Sequence, residues 1–174
     1  MSKTRPSPLT VSCWLLEALI ALNMLCGFVA FLFLVAWFVA PASMNAWIHG
    51  FADVESWDRA WGWRFLYAAG VLIIAGYHRV LIRLRAIVDT VSDGNPFVAR
   101  NAARLRDIAW TVVAVEGLTL AVGLIGPKLL PSGTWVQAGP GIHVLIWIAI
   151  LLLFVLAQVF TEGTRMRDEL DGTV

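Results

Sequence analysis

Four apolar runs, at about 13–40, 63–84, 108–126 and 142–161, constrain this chain more than any other feature. About twenty apolar residues in a helix cross the ~30 Å hydrocarbon core of a bilayer. In lipid, a helix satisfies every backbone polar group internally, which loops and open sheets cannot do. The runs occupy roughly half of the 174 residues, leaving only short connections and tails. Charged residues make up 14 % of the chain, against about a quarter in soluble domains. That balance excludes disorder, a nucleic-acid-binding surface and an ordinary cytosolic enzyme. The expected fold class is all-α: a polytopic membrane protein with four transmembrane helices in one domain.

Breakers separate the runs. Pro41 ends the first, Gly126-Pro127 ends the third, and Gly139-Pro140-Gly141 opens the fourth. The first run is too long for the apolar part of a signal peptide, so it reads as a retained helix. Cys13 and Cys26 both lie on it, ~20 Å apart at helical rise, so they cannot pair with each other.

Basic residues favour the cytoplasmic side of short loops. Lys3, Arg5, Arg79, Arg83, Arg85, Arg100, Arg104, Arg106, Arg165 and Arg167 fall on one side of the four spans; Arg59, Arg64 and Lys128 fall on the other. Both termini and the middle connection are therefore expected in the cytoplasm. The opposite loop, 41–62, is tryptophan-rich and carries Asp53, Glu55 and Asp58. Trp47, Ile48, Phe51 and Val54 have the spacing of a short helix lying on the outer leaflet. Trp37 and Trp135 are expected in the outer aromatic belt, Trp14 and Trp110 in the inner one.

The middle connection, 78–107, reads as a cytoplasmic helical hairpin, so helices 2, 3 and 4 extend beyond the membrane. Leu81, Leu84, Ile87, Val88 and Val91 keep a helical spacing with arginines opposite, and Val98, Ala102, Leu105, Ile108 and Ala109 do the same on the return. Gly94 can end one helix, Asn95 can cap the next, and Pro96 suits its first turn. Asp107 can pair with Arg104 at i+3. The arginines read either as headgroup contacts or as a docking surface for a cytoplasmic partner. The fourth helix can continue through Thr161–Leu170. Its Glu162 can reach Arg165, and its Asp168, Glu169 and Asp171 can pair with Arg83, Arg100 or Arg104.

Two stretches carry a resemblance. Gly94-Asn95-Pro96-Phe97, followed by Asn101-Ala102-x-Arg104-Leu105-Arg106-x-Ile108-Ala109-Trp110, is one. The run from Leu156 to Val174, with Gln158, Phe160, Glu162, Gly163, Arg165 and Arg167, is the other. Both resemble a bacterial membrane-protein family known as domain of unknown function 2975. The resemblance implies a four-span inner-membrane protein. Members are often encoded beside a small helix-turn-helix regulator of the Cro type, which implies a membrane-bound partner for such a regulator. On that reading, partner contact falls to Arg83, Asn95, Pro96, Phe97, Arg100, Arg104, Arg106, Arg165 and Arg167.

Within the spans, Glu116 lies near the middle of the third. An acidic residue there costs ~2.5–3.5 kcal/mol unless it finds a partner or a proton. Asn23, Thr111, Thr119 and His143 are its candidate neighbours. It is either a proton or cation site or a hydrogen-bonded packing carboxyl. Glu17 is expected to form an interfacial pair with a cytoplasmic arginine, and Gln158 to hydrogen-bond across helices. No nucleophile–base pair, phosphate loop or metal-ligand cluster appears, so the expectation is neither an enzyme nor a cofactor protein. The expected partners are the lipid bilayer, a small regulator and a possible second copy of the chain, with no direct nucleic-acid contact. The function expected is regulatory or signalling. The alternative is a small proton- or ion-coupled transporter using Glu116, which would need oligomerisation to build a pore.

Overall fold

The computed structural model describes residues 8–49, 57–129 and 143–171. All elements within them are helices: α1 (Pro8–Val39), α2 (Pro41–His49), α3 (Trp57–Ser92), α4 (Ala99–Leu129) and α5 (Val144–Asp171). Four of the five, α2 excepted, are long and apolar enough to cross a membrane. The stretch 41–62 therefore contains α2 and the start of α3. The outer-leaflet helix expected over 47–54 overlaps α2 only at 47–49. The rest of it, together with Asp53, Glu55, Trp135 and the Gly139–Gly141 breaker, lies outside the described residues.

Two compact units make up the chain. One contains α1 as far as Asn23, Tyr77–Val113 and α5; the other contains Met24–Gly76 and Ala114–His143. The core of the first is built from Ala102, Leu105, Ile108 and Ala109 of α4 with Ile150 and Ala157 of α5, each at most 8 % exposed. These are one stripe on α4 at 3.6-residue period, as the hydrophobic spacing requires. The large apolar side chains of α1, among them Leu15, Leu22, Phe28 and Phe31, are exposed. That suits a surface solvated by lipid.

The second unit is centred on Trp37, which is fully buried among Met44, Trp63 and Tyr67. The ring is therefore packed inside the protein, where one turned to the headgroups was expected. Pro41 breaks the helix, α2 begins at once, and its Met44 covers the indole. Trp14 and Trp110 are 71 % and 61 % exposed. Pro41 has a further consequence. It has no N–H, so the Trp37 carbonyl four residues back loses its helical donor. The Arg64 guanidinium donates to that carbonyl at 3.3 Å and lies 5.3 Å over the Phe38 ring. Arg64 thus closes the end of α1.

The third run was expected to stop at Gly126-Pro127, yet α4 continues to Leu129. A proline so near a helix end breaks only the bonds of the last turn. That turn is also held by packing: the Leu129 carbonyl lies 2.6 Å from where a Cβ on Gly62 would stand, so only glycine admits the contact.

Candidate functional site

The hairpin and its packing partner form the most elaborated polar site among the described residues. α3 ends in a left-handed residue, Gly94 at φ 76°, with Gly94 N–H donating to Val91 O and Asn95 N–H to Thr90 O. This is the paired 5→2 and 6→1 closure of a helix C-terminus. Asn95 is therefore spent on ending α3. It does not cap α4, which starts four residues later at Ala99. Pro96 adds a reason, because it steers the residue before it away from helical geometry.

Asn101 holds the hairpin shut. It is fully buried. Its Nδ2 donates to Thr90 Oγ1 at 2.7 Å and to the Pro96 carbonyl at 2.9 Å. Its Oδ1 accepts from Arg104 Nη1 at 2.9 Å, and the same nitrogen donates to the Ala86 carbonyl at 2.8 Å. One amide thus joins α3, the turn and α4. Arg104 turns inward and does not pair with Asp107. The carboxylate of Asp107 instead takes Arg83 at 2.9 Å, with Arg79 at 3.9 Å.

The hairpin tip meets α5. The Phe97 ring lies 5.4 Å from that of Phe160, and a Cβ on Gly163 would stand 2.9 Å from Phe97 Cδ1. Arg167 donates to the Asn95 side-chain oxygen. An open groove of about 340 Å³ runs beside these contacts, between Val98 and Ala99 on one side and Thr164, Arg167 and Asp168 on the other. One helical turn further along α4 than Asp107, the Trp110 ring packs edge-on against Phe154 at 5.5 Å. The tail is therefore joined to the hairpin by an aromatic contact and an arginine–amide bond, not by the expected acid–arginine pairs. Glu162 pairs with Arg165 of its own helix at 2.6 Å, as expected, and Glu169 is taken by the same arginine at 3.5 Å instead of by one of the hairpin. Asp171 has no described side chain.

The other expected site residues are distributed as follows. Arg100 and Arg106 are exposed and form no ion pair with a described residue. Pro96 is half-buried. Glu17 pairs with Arg85 at 2.7 Å. Glu116, in the second unit, is 5 % exposed, and its Oε1 lies 3.0 Å from Nδ1 of His143. Thr111 and Thr119 are not its partners; each bonds a carbonyl four residues back on α4. The Asn23 side-chain oxygen is buried with no hydrogen-bond partner among the described residues. Gln158 is exposed and bonds to no other helix among the described residues.

Asn101, Thr90 and Gly163 were missed as site residues. Asn101 did carry a signal, because it falls on the apolar stripe of α4 between Val98 and Leu105. A polar residue on a buried face must find partners. Gly163 carried none, since its role depends on a ring supplied by another helix.

No curated protein and no solved structure matches the chain. Residues 9–174, which include both docked motifs and all four spans, match a single family model, and the chain belongs to that family, described as Protein of unknown function (DUF2975).

Proposed function

We propose that this protein is a regulatory or signalling component of the bacterial inner membrane that binds a small helix-turn-helix regulator in the cytoplasm. The hairpin and the far end of α5 are the binding elements, and both termini lie on that side. The observation that carries this reading is the docking of Phe97 and Asn95 on Phe160, Gly163 and Arg167. It supports a prearranged surface with a groove beside it and Arg100 and Arg106 exposed. A surface already ordered loses less freedom when a partner binds. The lysine and arginine bias supports the orientation. No catalytic step is assigned.

The test is affinity capture from native membranes through a C-terminal tag, with mass-spectrometric identification. A small DNA-binding protein should be recovered, and recovery should fall when Arg100→Glu and Arg106→Glu are combined. Recovery of the chain alone, or capture unchanged by the reversals, would refute the reading.

A second reading rests on Glu116. A carboxyl 5 % exposed within an apolar span, bonded to a half-exposed histidine, supports a proton- or ion-coupled transporter. Proton flux in reconstituted vesicles that is lost on Glu116→Gln would favour it; equal flux in the variant would remove it.

A further inference from the structure

We propose that Arg79 and Arg83, bridged by Asp107 one helical turn before Trp110 on α4, form a site for the headgroup of an anionic phospholipid. The argument starts from charge. Arg79 and Arg83 are four residues apart on α3 and so share a face. Both guanidiniums turn to the one carboxylate of Asp107. One acid balances one cation, so the cluster keeps a net positive charge. Arg83 is engaged at 2.9 Å; Arg79 stands off at 3.9 Å with its side chain 60 % exposed. Its planar set of donors remains open to an acceptor, and such a fork suits phosphate oxygens.

Depth selects the ligand. Asp107 is the last charged residue before the apolar run of α4 begins at Ile108. The two ion pairs therefore hold the arginines where that run meets the headgroups. Trp110, one turn further on, is 61 % exposed and braced against Phe154, as an interfacial indole should be. The abundant anion at this depth is a lipid phosphodiester. A zwitterionic headgroup brings a cation with it, so the excess charge favours phosphatidylglycerol over phosphatidylcholine. The pair Arg85–Glu17 in the same unit is the internal contrast: one cation, one acid, 2.7 Å, no excess. The site uses neither Arg100 nor Arg106, so its test is separate from that of the regulator reading.

The experiment is native mass spectrometry of the full chain from detergent, titrated with phosphatidylglycerol or with phosphatidylcholine of the same acyl chains. The wild type should retain the anionic lipid preferentially. Arg79→Gln should weaken that binding about fivefold, the factor one arginine near an anionic surface supplies. Arg79→Lys should keep most of it, and Arg85→Gln should bind as the wild type does. Equal retention of both lipids would overturn the proposal. So would an equal loss in Arg85→Gln, which would mean diffuse attraction to net charge. Inorganic phosphate that displaces the lipid from the wild type at millimolar concentration would assign the site to free phosphate and overturn the lipid.

Discussion

Replacing Asn101 by alanine should be among the most damaging single changes outside the apolar runs. The side chain is fully buried and makes two bonds to neutral acceptors and one to a guanidinium. Neutral bonds contribute about 0.5–1.5 kcal/mol each and a charged one about 1.5–3, so the loss is about 4 kcal/mol. Thr90, Pro96, Asn101 and Arg104 all lie beyond the apolar runs, so unfolding returns them to water and the aqueous scale applies. For a chain of this size that is a fall in Tm of about 8–16 °C, read by circular dichroism in detergent. Thr90→Val removes only the Thr90 contacts and should cost about 1 kcal/mol. Its effect should largely vanish in the Asn101→Ala background, because the partner is already gone. An Asn101→Ala loss below about 1 kcal/mol, or additive losses in the double variant, would refute the view that one amide closes the hairpin.

Other substitutions test other contacts. Gly163→Val should drive the Phe97 ring off α5 and cost about 1–3 kcal/mol, with partial recovery on Phe97→Ala; no recovery would mean the ring is not what the glycine accommodates. Arg64→Met should cost about 1.5–3 kcal/mol through the orphaned Trp37 carbonyl. That cost should shrink when Pro41→Ala restores a backbone donor, and an undiminished cost in the double variant would count against the account of how α1 ends. Glu116→Ala should release His143 and raise its reactivity toward diethyl pyrocarbonate, while Glu116→Gln keeps an acceptor and should not. The bond itself is worth about 1 kcal/mol at a site of this kind, so a large stability change would point to a different role.

What was legible in the sequence follows from how steeply each feature is penalised. Lipid penalises an unsatisfied backbone, so four spans can be read from four apolar runs. Gly94 was legible because the left-handed residue after a helix tolerates few alternatives. Glu17 was legible because an acid near an arginine-rich boundary has few other partners. The direction of a long side chain was not legible. Arg100 and Arg104 are one turn apart and look alike in the sequence, yet Arg104 turns in to Asn101 and the Ala86 carbonyl while Arg100 faces out. Asp107 had an arginine on its own helix and took two from α3 instead. Trp37 looked interfacial because indoles favour headgroups, but α2 covers it, and a nine-residue helix after Pro41 is a local event with a weak hydrophobic signal. The joint between hairpin and tail was the least legible. It uses a glycine, two phenylalanines and an amide, and its one charged member, Arg167, bonds that neutral amide and no acid of the hairpin.

The central claim is that the hairpin tip and α5 are docked on one another in the membrane-embedded protein. Asn95→Cys with Arg167→Cys, in a background where Cys13 and Cys26 are replaced by serine, tests it with a short thiol-specific cross-linker applied to native membranes. Glu17→Cys with Arg85→Cys is the reference pair, since those side chains meet at 2.7 Å in the same unit. The account predicts cross-linking of both pairs. A reference pair that cross-links beside an Asn95/Arg167 pair that does not would contradict it.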